Sequence, residues 1–195
     1  MFHTSTSDGC NKKALCLIAP GFEEIEFVTP VDILRRAGVH VTIASIADTI
    51  EPVAGMMKVQ VVPDAVLADV KNTTFDLVFL PGGGRAANAF AESADVGEVL
   101  KHHNEEGKMI AAISSSTTVF DGFEINRGKK CISYPSYRDQ LRNHYECSED
   151  AVVVDGNMVT SRGPGTAFAY GLALLERLCG TAKGDQVASR MLYEQ

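Results

Sequence analysis

The sequence predicts a doubly wound α/β protein whose central sheet is mostly parallel. Three apolar segments, 14–19, 76–80 and 109–113, have the length and composition of buried strands. Helical patterns lie between strands, and the first one joins two strands into a β-α-β unit that should be parallel and right-handed. Ligands of such sheets bind at the carboxyl ends of the strands, near the switch in strand order. The loops that follow the three apolar segments are therefore the candidate site.

Turn and cap residues set the limits of the predicted elements. Gly38 is a helix stop, Pro63 ends a short strand, and residues 155–157 join two strands as a hairpin. Strands are predicted at 14–19, 39–45, 59–62, 76–80, 109–113, 130–133, 152–154 and 158–161. Helices are predicted at 23–37, 93–106, 165–178 and 185–192, and a further helix is expected to begin after residue 114.

Length and charge limit the class of protein. The 195 residues, 45% of them hydrophobic, have the composition of one globular domain, predicted at 13–195 after a disordered tail at 1–12. A formal net charge of -7 argues against nucleic acids and anionic membranes as partners, because phosphates bind clustered lysine and arginine. No apolar run approaches the roughly 20 residues that a membrane span requires.

The cysteines and histidines do not form a recognisable metal site. The five cysteines are an odd number, widely spaced and without a C-x-x-C pair. This pattern favours free thiols in a reducing compartment over a disulfide framework, so we expect a cytoplasmic protein. His102 and His103 are adjacent, and neighbours on a helix point about 100° apart, so we expect a solvated helix face there. Neither a metal nor a cofactor is predicted.

Segment 109–118 is the most informative part of the chain. Its apolar strand runs without a break into Ser114, Ser115, Ser116 and two threonines. A serine at a strand-to-helix turn can be a nucleophile, because its side chain is exposed and backbone N–H groups lie nearby. The same hydroxyls could instead cap the helix that follows. The segment alone leaves both interpretations open.

Glu26 and the glycine run 82–84 are the other candidate features. Glu23, Glu24 and Glu26 begin the first helix, where the helix dipole favours carboxylates. Pro30 has no N–H for the carbonyl of residue 26, so the helix should kink there and the Glu26 carboxyl could transfer protons. The glycine run could supply N–H groups to a substrate oxygen, or it could be a turn that needs positive φ.

Several segments resemble the DJ-1/ThiJ/PfpI superfamily, with the best match to its DJ-1 branch. They occur in the same order and with similar spacing over nearly the whole chain after Lys12. The segments are Ala19-Pro20-Gly21-x-Glu23-Glu24-x-Glu26, Pro30-Val31-Asp32, Arg35-Arg36-Ala37-Gly38, Leu80-Pro81-Gly82-Gly83, Ala111-Ala112-Ile113 and Thr160-Ser161-Arg162-Gly163-Pro164-Gly165-Thr166. The resemblance implies a flavodoxin-like three-layer α/β sandwich that forms a homodimer. The apolar face of the first helix (Phe27, Val31 and Leu34) should serve the dimer contact, the sheet, or both.

The resemblance also assigns site residues. The family's nucleophile, a cysteine on a strained elbow, corresponds to Ser114, and its carboxyl partner corresponds to Glu26. The family's oxyanion donors correspond to the N–H groups of Gly83 and Ser115. On the homodimer interpretation, Arg36 would reach toward the partner's site, where it would draw anionic substrates.

The reaction that the resemblance implies needs no cofactor. A cysteine thiolate attacks small α-oxoaldehydes such as methylglyoxal and gives a hydroxy acid, which is a glyoxalase III reaction. Protein deglycation is also claimed for the family. The alternative is a non-enzymatic role in the oxidative stress response, as a redox sensor or chaperone.

Three positions differ from the family or from some of its branches. Tyr134, which we place in the substrate-binding part of the site, is histidine in some relatives. Residue 115 is serine where the protease and amidotransferase branches have histidine, so those activities are discounted. Ser114 replaces the cysteine, and a serine hydroxyl without a base is a weak nucleophile that cannot form a sulfinic acid. The chain is either an engineered cysteine-to-serine form or a natural pseudoenzyme, and the intact surroundings of Ser114 favour the first.

Overall fold

The computed structural model describes residues 9–193, which fold into α-helices and strands around one large sheet. Within these residues the strands are β1 (Lys13–Ile18), β2 (His40–Ser45), β3 (Val53–Ala54), β4 (Gln60–Val61), β5 (Ala65–Val66), β6 (Leu77–Leu80), β7 (Met109–Ile113), β8 (Lys130–Cys131), β9 (Glu146–Cys147), β10 (Val152–Asp155) and β11 (Met158–Ser161). The α-helices are α1 (Glu24–Arg36), α2 (Leu67–Val70), α3 (Gly84–Glu92), α4 (Ala94–Glu105), α5 (Thr117–Gly122), α6 (Arg138–Leu141), α7 (Ala167–Cys179) and α8 (Thr181–Arg190).

The large sheet has seven strands in the order β10-β11-β7-β6-β1-β2-β5. All neighbouring strands are parallel except β10 and β11, which form the predicted antiparallel hairpin. The predicted fold class, a mostly parallel sheet flanked by helices, is therefore confirmed. Because β1, β6 and β7 are adjacent and parallel, the loops after their carboxyl ends meet at one edge of the sheet.

The three central strands are buried on both faces, which explains their continuous apolar sequences. Helix α1 packs against α7, where Gly171 lies against Pro30 and Ile33. The apolar face of α1 that we expected to contribute to a dimer lies instead inside the protein's own core, because Phe27, Val31 and Leu34 are all buried. The exposed apolar residues of α1 are others, Ile25 and Val28.

Two predicted strands exist only as two-residue pairs outside the large sheet. Segment 59–62 contributes β4, which pairs with β3, and segment 130–133 contributes β8, which pairs with β9. Edge strand β5 and helix α3 were not predicted, since short segments carry little periodic signal.

The prediction that all cysteines are free is wrong. Cys10 and Cys179 form a disulfide across 169 residues of sequence, while Cys16, Cys131 and Cys147 are free. The fold brings the start of β1 beside the end of α7, a contact that spacing cannot show. The cysteine argument for a reducing compartment therefore no longer holds, and a cytoplasmic location stays a prediction.

The disulfide also moves the boundary of the predicted tail. The Cys10 N–H donates to the Ala37 carbonyl (3.0 Å), so residues 9–12 are attached to the folded part of the chain. The rest of the predicted tail, residues 1–8, lies outside the described residues.

The expected solvated helix face holds for His102, which is exposed, but not for His103, which is fully buried. Its Nε2 accepts a hydrogen bond from the Phe75 N–H (3.0 Å), and its Nδ1 lies 2.7 Å from the Val99 carbonyl oxygen. Burial lowers the pKa of His103, so this residue is a neutral structural side chain. Residues 9–193 contain no cluster of three or more potential metal ligands. In the same part of the chain no helix is long and apolar enough to cross a membrane.

The α1–α7 contact predicts that Gly171→Ala destabilises the protein. The added β-carbon would lie 2.7 Å from Ile33 Cδ1 and 3.1 Å from Pro30 Cα, and the proline backbone cannot give way cheaply. We expect a loss of about 1–3 kcal/mol in the free energy of unfolding, measured by urea denaturation. Gly122→Ala is the matched control, since a β-carbon there meets nothing within 4 Å. Equal stability of the two variants would contradict this account of the helix contact.

Candidate active site

Ser114 occupies a strained turn at the carboxyl end of β7. Strand β7 ends at Ile113, and a single 3₁₀ turn, Ser114–Ser116, leads into α5. The backbone of Ser114 has φ of +63°, in the left-handed region that non-glycine residues rarely adopt. Such a conformation costs about 1–3 kcal/mol and persists only where the surrounding structure holds it. The backbone therefore agrees with the predicted nucleophile elbow.

The hydroxyl groups after Ser114 connect the turn to its neighbours. Ser116 Oγ donates to the Pro81 carbonyl (2.6 Å), and Thr117 Oγ1 donates to the Ile132 carbonyl (3.0 Å). Neither side chain caps α5. The hydroxyl cluster thus fixes the elbow against the loops after β6 and β8, which answers the capping alternative left open by the sequence.

Glu26 lies beneath this turn and is completely buried. Its Oε2 accepts a hydrogen bond of 2.8 Å from the Gly82 N–H, and its Oε1 is buried without a protein partner. Glu23 is the N-cap of α1, and its side chain accepts a hydrogen bond from the Glu26 N–H (2.7 Å). This bond fixes the helical turn that carries the Glu26 side chain. The loops after β1 and β6 therefore meet at this carboxyl.

The environment of Glu26 favours its neutral form. Burial raises the pKa of Glu26 from 4.5 to about 7, and the negative charge of Glu23 acts in the same direction. The Gly82 N–H and the Ser114 side chain oppose this rise, because both stabilise the carboxylate. Near neutral pH, Glu26 can therefore accept or donate a proton without a large energetic penalty.

Glycine is required where the three loops meet. A β-carbon on Gly82 would overlap Glu26 Oε2 and would lie 2.7 Å from Ser114 Cβ. Gly83 has φ of +98°, and a β-carbon there would overlap the Gly21 carbonyl oxygen. Gly83 therefore has the positive φ that the turn interpretation requires, and Gly82 allows close backbone approach to the Glu26 carboxyl; supply of N–H groups to a substrate oxygen stays a prediction.

The segment 160–166 supplies the wall opposite Gly82. A β-carbon on Gly163 would lie 3.3 Å from Tyr134 Cδ2 and 3.9 Å from Glu26 Oε1. Tyr134 is half exposed, whereas Glu26 is completely buried, and both lie close to Gly163. The structure thus brings Tyr134 to the site.

The expected oxyanion donors lie on either side of the elbow. Ser115 directly follows Ser114 in the 3₁₀ turn, and Gly83 is the N-cap of α3. The side-chain hydroxyl of Ser115 is buried and has no hydrogen-bond partner. The N–H groups of both residues thus begin helical turns, where backbone donors are available to an anionic oxygen.

Arg36 is not brought to this site within one chain. It is the last residue of α1, about 15 Å along the helix from Glu26, and its guanidinium pairs with Asp32 (2.8 Å). Any contribution of Arg36 to a site would have to come across a subunit contact.

Sequence reasoning missed Gly163 as a site residue, and it did not assign Gly82 its role as the partner of Glu26. Both act through the absence of a side chain, and the N–H of Gly82 acts as a donor to Glu26. The glycine run and the Arg162-Gly163-Pro164 segment indicated close packing, but which glycine touches which group depends on the tertiary fold.

Known proteins resemble this chain over most of its length. The profile of the DJ-1/PfpI family matches residues 12–177. Protein dj-1beta of Drosophila melanogaster is 44% identical over 183 residues, which cover 93% of this chain and 97% of that protein. A protein of Caenorhabditis elegans named glutathione-independent glyoxalase DJR-1.2 is 36% identical over 177 residues, 90% of this chain and 94% of the relative.

The fold comparison gives the same result. The crystal structure of Drosophila melanogaster DJ-1beta superimposes with a TM-score of 0.92 and covers 95% of this chain and all of that one, at 44% identity. Because the family profile matches most of the chain and the relatives align over nearly their whole length, this chain belongs to the DJ-1/PfpI family.

Proposed function

We propose that this protein acts on small α-oxoaldehydes such as methylglyoxal, as a cofactor-independent glyoxalase, with Ser114 in the position of the nucleophile. The observation that carries the proposal is the pairing of Ser114, on an elbow with positive φ, with a buried carboxyl of pKa about 7. A relative that covers most of the chain bears the name glutathione-independent glyoxalase, which supports this class of chemistry.

The proposed reaction is an isomerisation followed by hydrolysis. Ionised Glu26 takes the hydroxyl proton as Ser114 Oγ bonds to the aldehyde carbon, and the N–H groups of Gly83 and Ser115 stabilise the resulting oxyanion. Proton transfer from the aldehyde carbon to the neighbouring carbonyl carbon, through an enediol, then leaves an ester on Ser114. Water cleaves this ester, releases the hydroxy acid and regenerates the hydroxyl. The overall change is addition of one water with no net oxidation.

The charges around the site favour a neutral substrate. The carboxyls of Glu26 and Glu23 influence each other at the site, and when ionised they repel anions. A neutral dicarbonyl compound enters without this repulsion, whereas the hydroxy acid leaves as an anion. Small size is favoured as well, since Ser114 is only 7% exposed. Protein-bound adducts, the substrates of a deglycase, would need more access than this.

The serine should make the reaction slow. A thiol can be ionised substantially at neutral pH in such a position, while a hydroxyl cannot. The geometry therefore supports binding and proton transfer, and the nucleophile limits the rate.

A homodimer is the second part of the proposal. Helix α1 has two exposed apolar side chains, Ile25 and Val28. Segment 56–59 lies beside the start of this helix, because Glu24 Oε1 accepts hydrogen bonds from the N–H groups of Met57 (2.7 Å) and Val59 (3.3 Å). This patch adjoins the helix that carries Glu26. A second copy of the chain covering it would bury apolar surface that is otherwise exposed to water.

Ser114→Cys should raise the rate of lactate formation from methylglyoxal by orders of magnitude, because the thiolate is the better nucleophile. In the cysteine variant, Glu26→Gln should remove about 10²- to 10⁴-fold of the rate, the usual contribution of proton transfer. Lactate is quantified by NMR at equal protein concentrations.

Ser115→Cys is the matched control for this comparison. It adds the same thiol one residue from the elbow and should give no gain. A folded Ser114→Cys protein without activity would overturn the glyoxalase proposal and favour a non-enzymatic stress-response or chaperone role. A fast serine form would show that a group near Ser114 activates the hydroxyl.

The raised pKa of Glu26 predicts that stability falls with pH. The unfolded chain ionises this carboxyl near pH 4.5, whereas the folded chain ionises it only near 7. Stability from the neutral acid is complete below about pH 4.5 and is lost as pH rises through 7, a change of about 3 kcal/mol by pH 8. Glu26→Gln should therefore match the parent protein at low pH and exceed its free energy of unfolding at pH 8.

Urea denaturation at pH 5 and pH 8 measures this difference. Glu92→Gln, which changes an exposed carboxyl at the end of α3, should leave the pH dependence of the parent unchanged. Parallel pH profiles for the parent and Glu26→Gln would show that Glu26 ionises normally in the folded protein.

The dimer proposal predicts a particle of twice the 21.0 kDa chain mass in light scattering at micromolar concentration. Ile25→Arg should shift the population toward the monomer, because a charge would have to be buried in the contact. Val154→Arg, at an exposed apolar position of β10, is the control. A monomeric parent protein would end the proposal.

A further inference from the structure

Cys131 and Cys147 face each other across two short parallel strands. Strands β8 and β9 pair in a register that makes Cys131 and Cys147 direct partners. Paired strands lie about 4.8 Å apart, and residues in register point their side chains to the same face. A disulfide needs a Cα separation of about 4.4–6.8 Å, so the backbone already satisfies this requirement.

The two thiols differ in their access to solvent. Cys131 is fully buried, whereas Cys147 is partly exposed. The Cys147 thiol donates to the Arg138 carbonyl at 3.8 Å, which orients its sulfur within the ribbon. Burial first, and then the neighbouring Cys147 side chain, raise the pKa of the Cys131 thiol to about 12. The two sulfurs are therefore close, and the solvent reaches Cys147 first.

We propose that Cys131 and Cys147 are a redox-active dithiol that a hydroperoxide converts into a reversible disulfide. Cys147 is the thiol that meets the oxidant, and Cys131 is the resolving thiol. No role in the proposed glyoxalase chemistry is required of either residue.

The chemistry balances with hydrogen peroxide as the oxidant. The Cys147 thiol loses its proton, and attack of the thiolate on the peroxide breaks the O–O bond to form a sulfenic acid and hydroxide. The proton and the hydroxide combine as the first water. Cys131 then attacks the sulfenic sulfur. The S–S bond forms as the S–O bond breaks, and the Cys131 proton leaves with the hydroxyl as a second water. Two thiols and one peroxide thus give one disulfide and two water molecules.

The remaining cysteines do not compete for this role. Cys16 is buried in β1, which belongs to the large sheet, and Cys10 is already bonded to Cys179. The proposed disulfide would lie near the elbow, because the carbonyl of Ile132, the residue after Cys131, accepts the hydrogen bond from Thr117 Oγ1. The chain that leaves β8 leads within three residues to Tyr134.

The test treats the full chain with stoichiometric hydrogen peroxide and counts free thiols by alkylation in denaturant. Three free thiols should fall to one, with an intact-mass loss of two hydrogens. Dithiothreitol should then return residues 131 and 147 to the thiol form, which peptide mapping distinguishes from any reduction of the Cys10–Cys179 disulfide. Peptide mapping without reduction should find residues 131 and 147 joined.

Matched variants identify the pair. Cys147→Ser and Cys131→Ser should each abolish the new cross-link, and Cys16→Ser should leave it intact. Sulfinic acid at Cys147 with Cys131 still reduced would overturn the proposal, as would three unmodified thiols or a cross-link to Cys16. Circular dichroism of each variant establishes that it is folded. If one serine variant does not fold, mapping of the oxidised parent protein still decides the question.

Discussion

The hydrogen bond between the Gly82 N–H and the Glu26 carboxyl is the contact on which the rest of the site depends. It joins the loop after β6 to the first turn of α1, and it partly compensates for burying an acid under the elbow. Gly82 must be glycine for the carboxyl and Ser114 to approach it together. Without this hydrogen bond, burial of the Glu26 carboxyl would be less favourable. The elbow could then lose the neighbouring carboxyl of pKa about 7.

Elements whose hydrophobic pattern extends over several residues could be predicted from the sequence. Strand β7 appeared at its observed limits, 109–113, because five apolar residues stand between polar neighbours. The predicted strand 130–133 is reduced to the two residues of β8, and its partner β9 was not predicted, since their pairing depends on the chain between them. The Cys10–Cys179 disulfide was missed because its cysteines are 169 residues apart in sequence and are brought together only by the tertiary fold.

The candidate site divides along similar lines. Local sequence made Ser114 and Glu26 candidates, through hydroxyls directly after an apolar strand and a carboxyl four residues before an interior proline, and the family resemblance assigned their roles. The contacts of Gly82, Gly163 and Tyr134 could not be predicted, because each depends on residues far away in sequence. Burial of His103 could not be predicted either, because it depends on a hydrogen bond from the N–H of Phe75, which lies 28 residues away in sequence.

The strained backbone at residue 114 is held by groups other than its own side chain. Ser116 and Thr117 fasten the turn to neighbouring carbonyl groups, and Gly82 makes room beneath it. Oxygen and sulfur at this position would therefore occupy nearly the same place, and the difference between them would be chemical rather than structural. A site built this way separates geometry from reactivity, because one atom sets the strength of the nucleophile while the carboxyl and backbone donors stay unchanged. The same separation explains how oxidisable sulfur can lie elsewhere, in the β8–β9 ribbon, without altering the elbow.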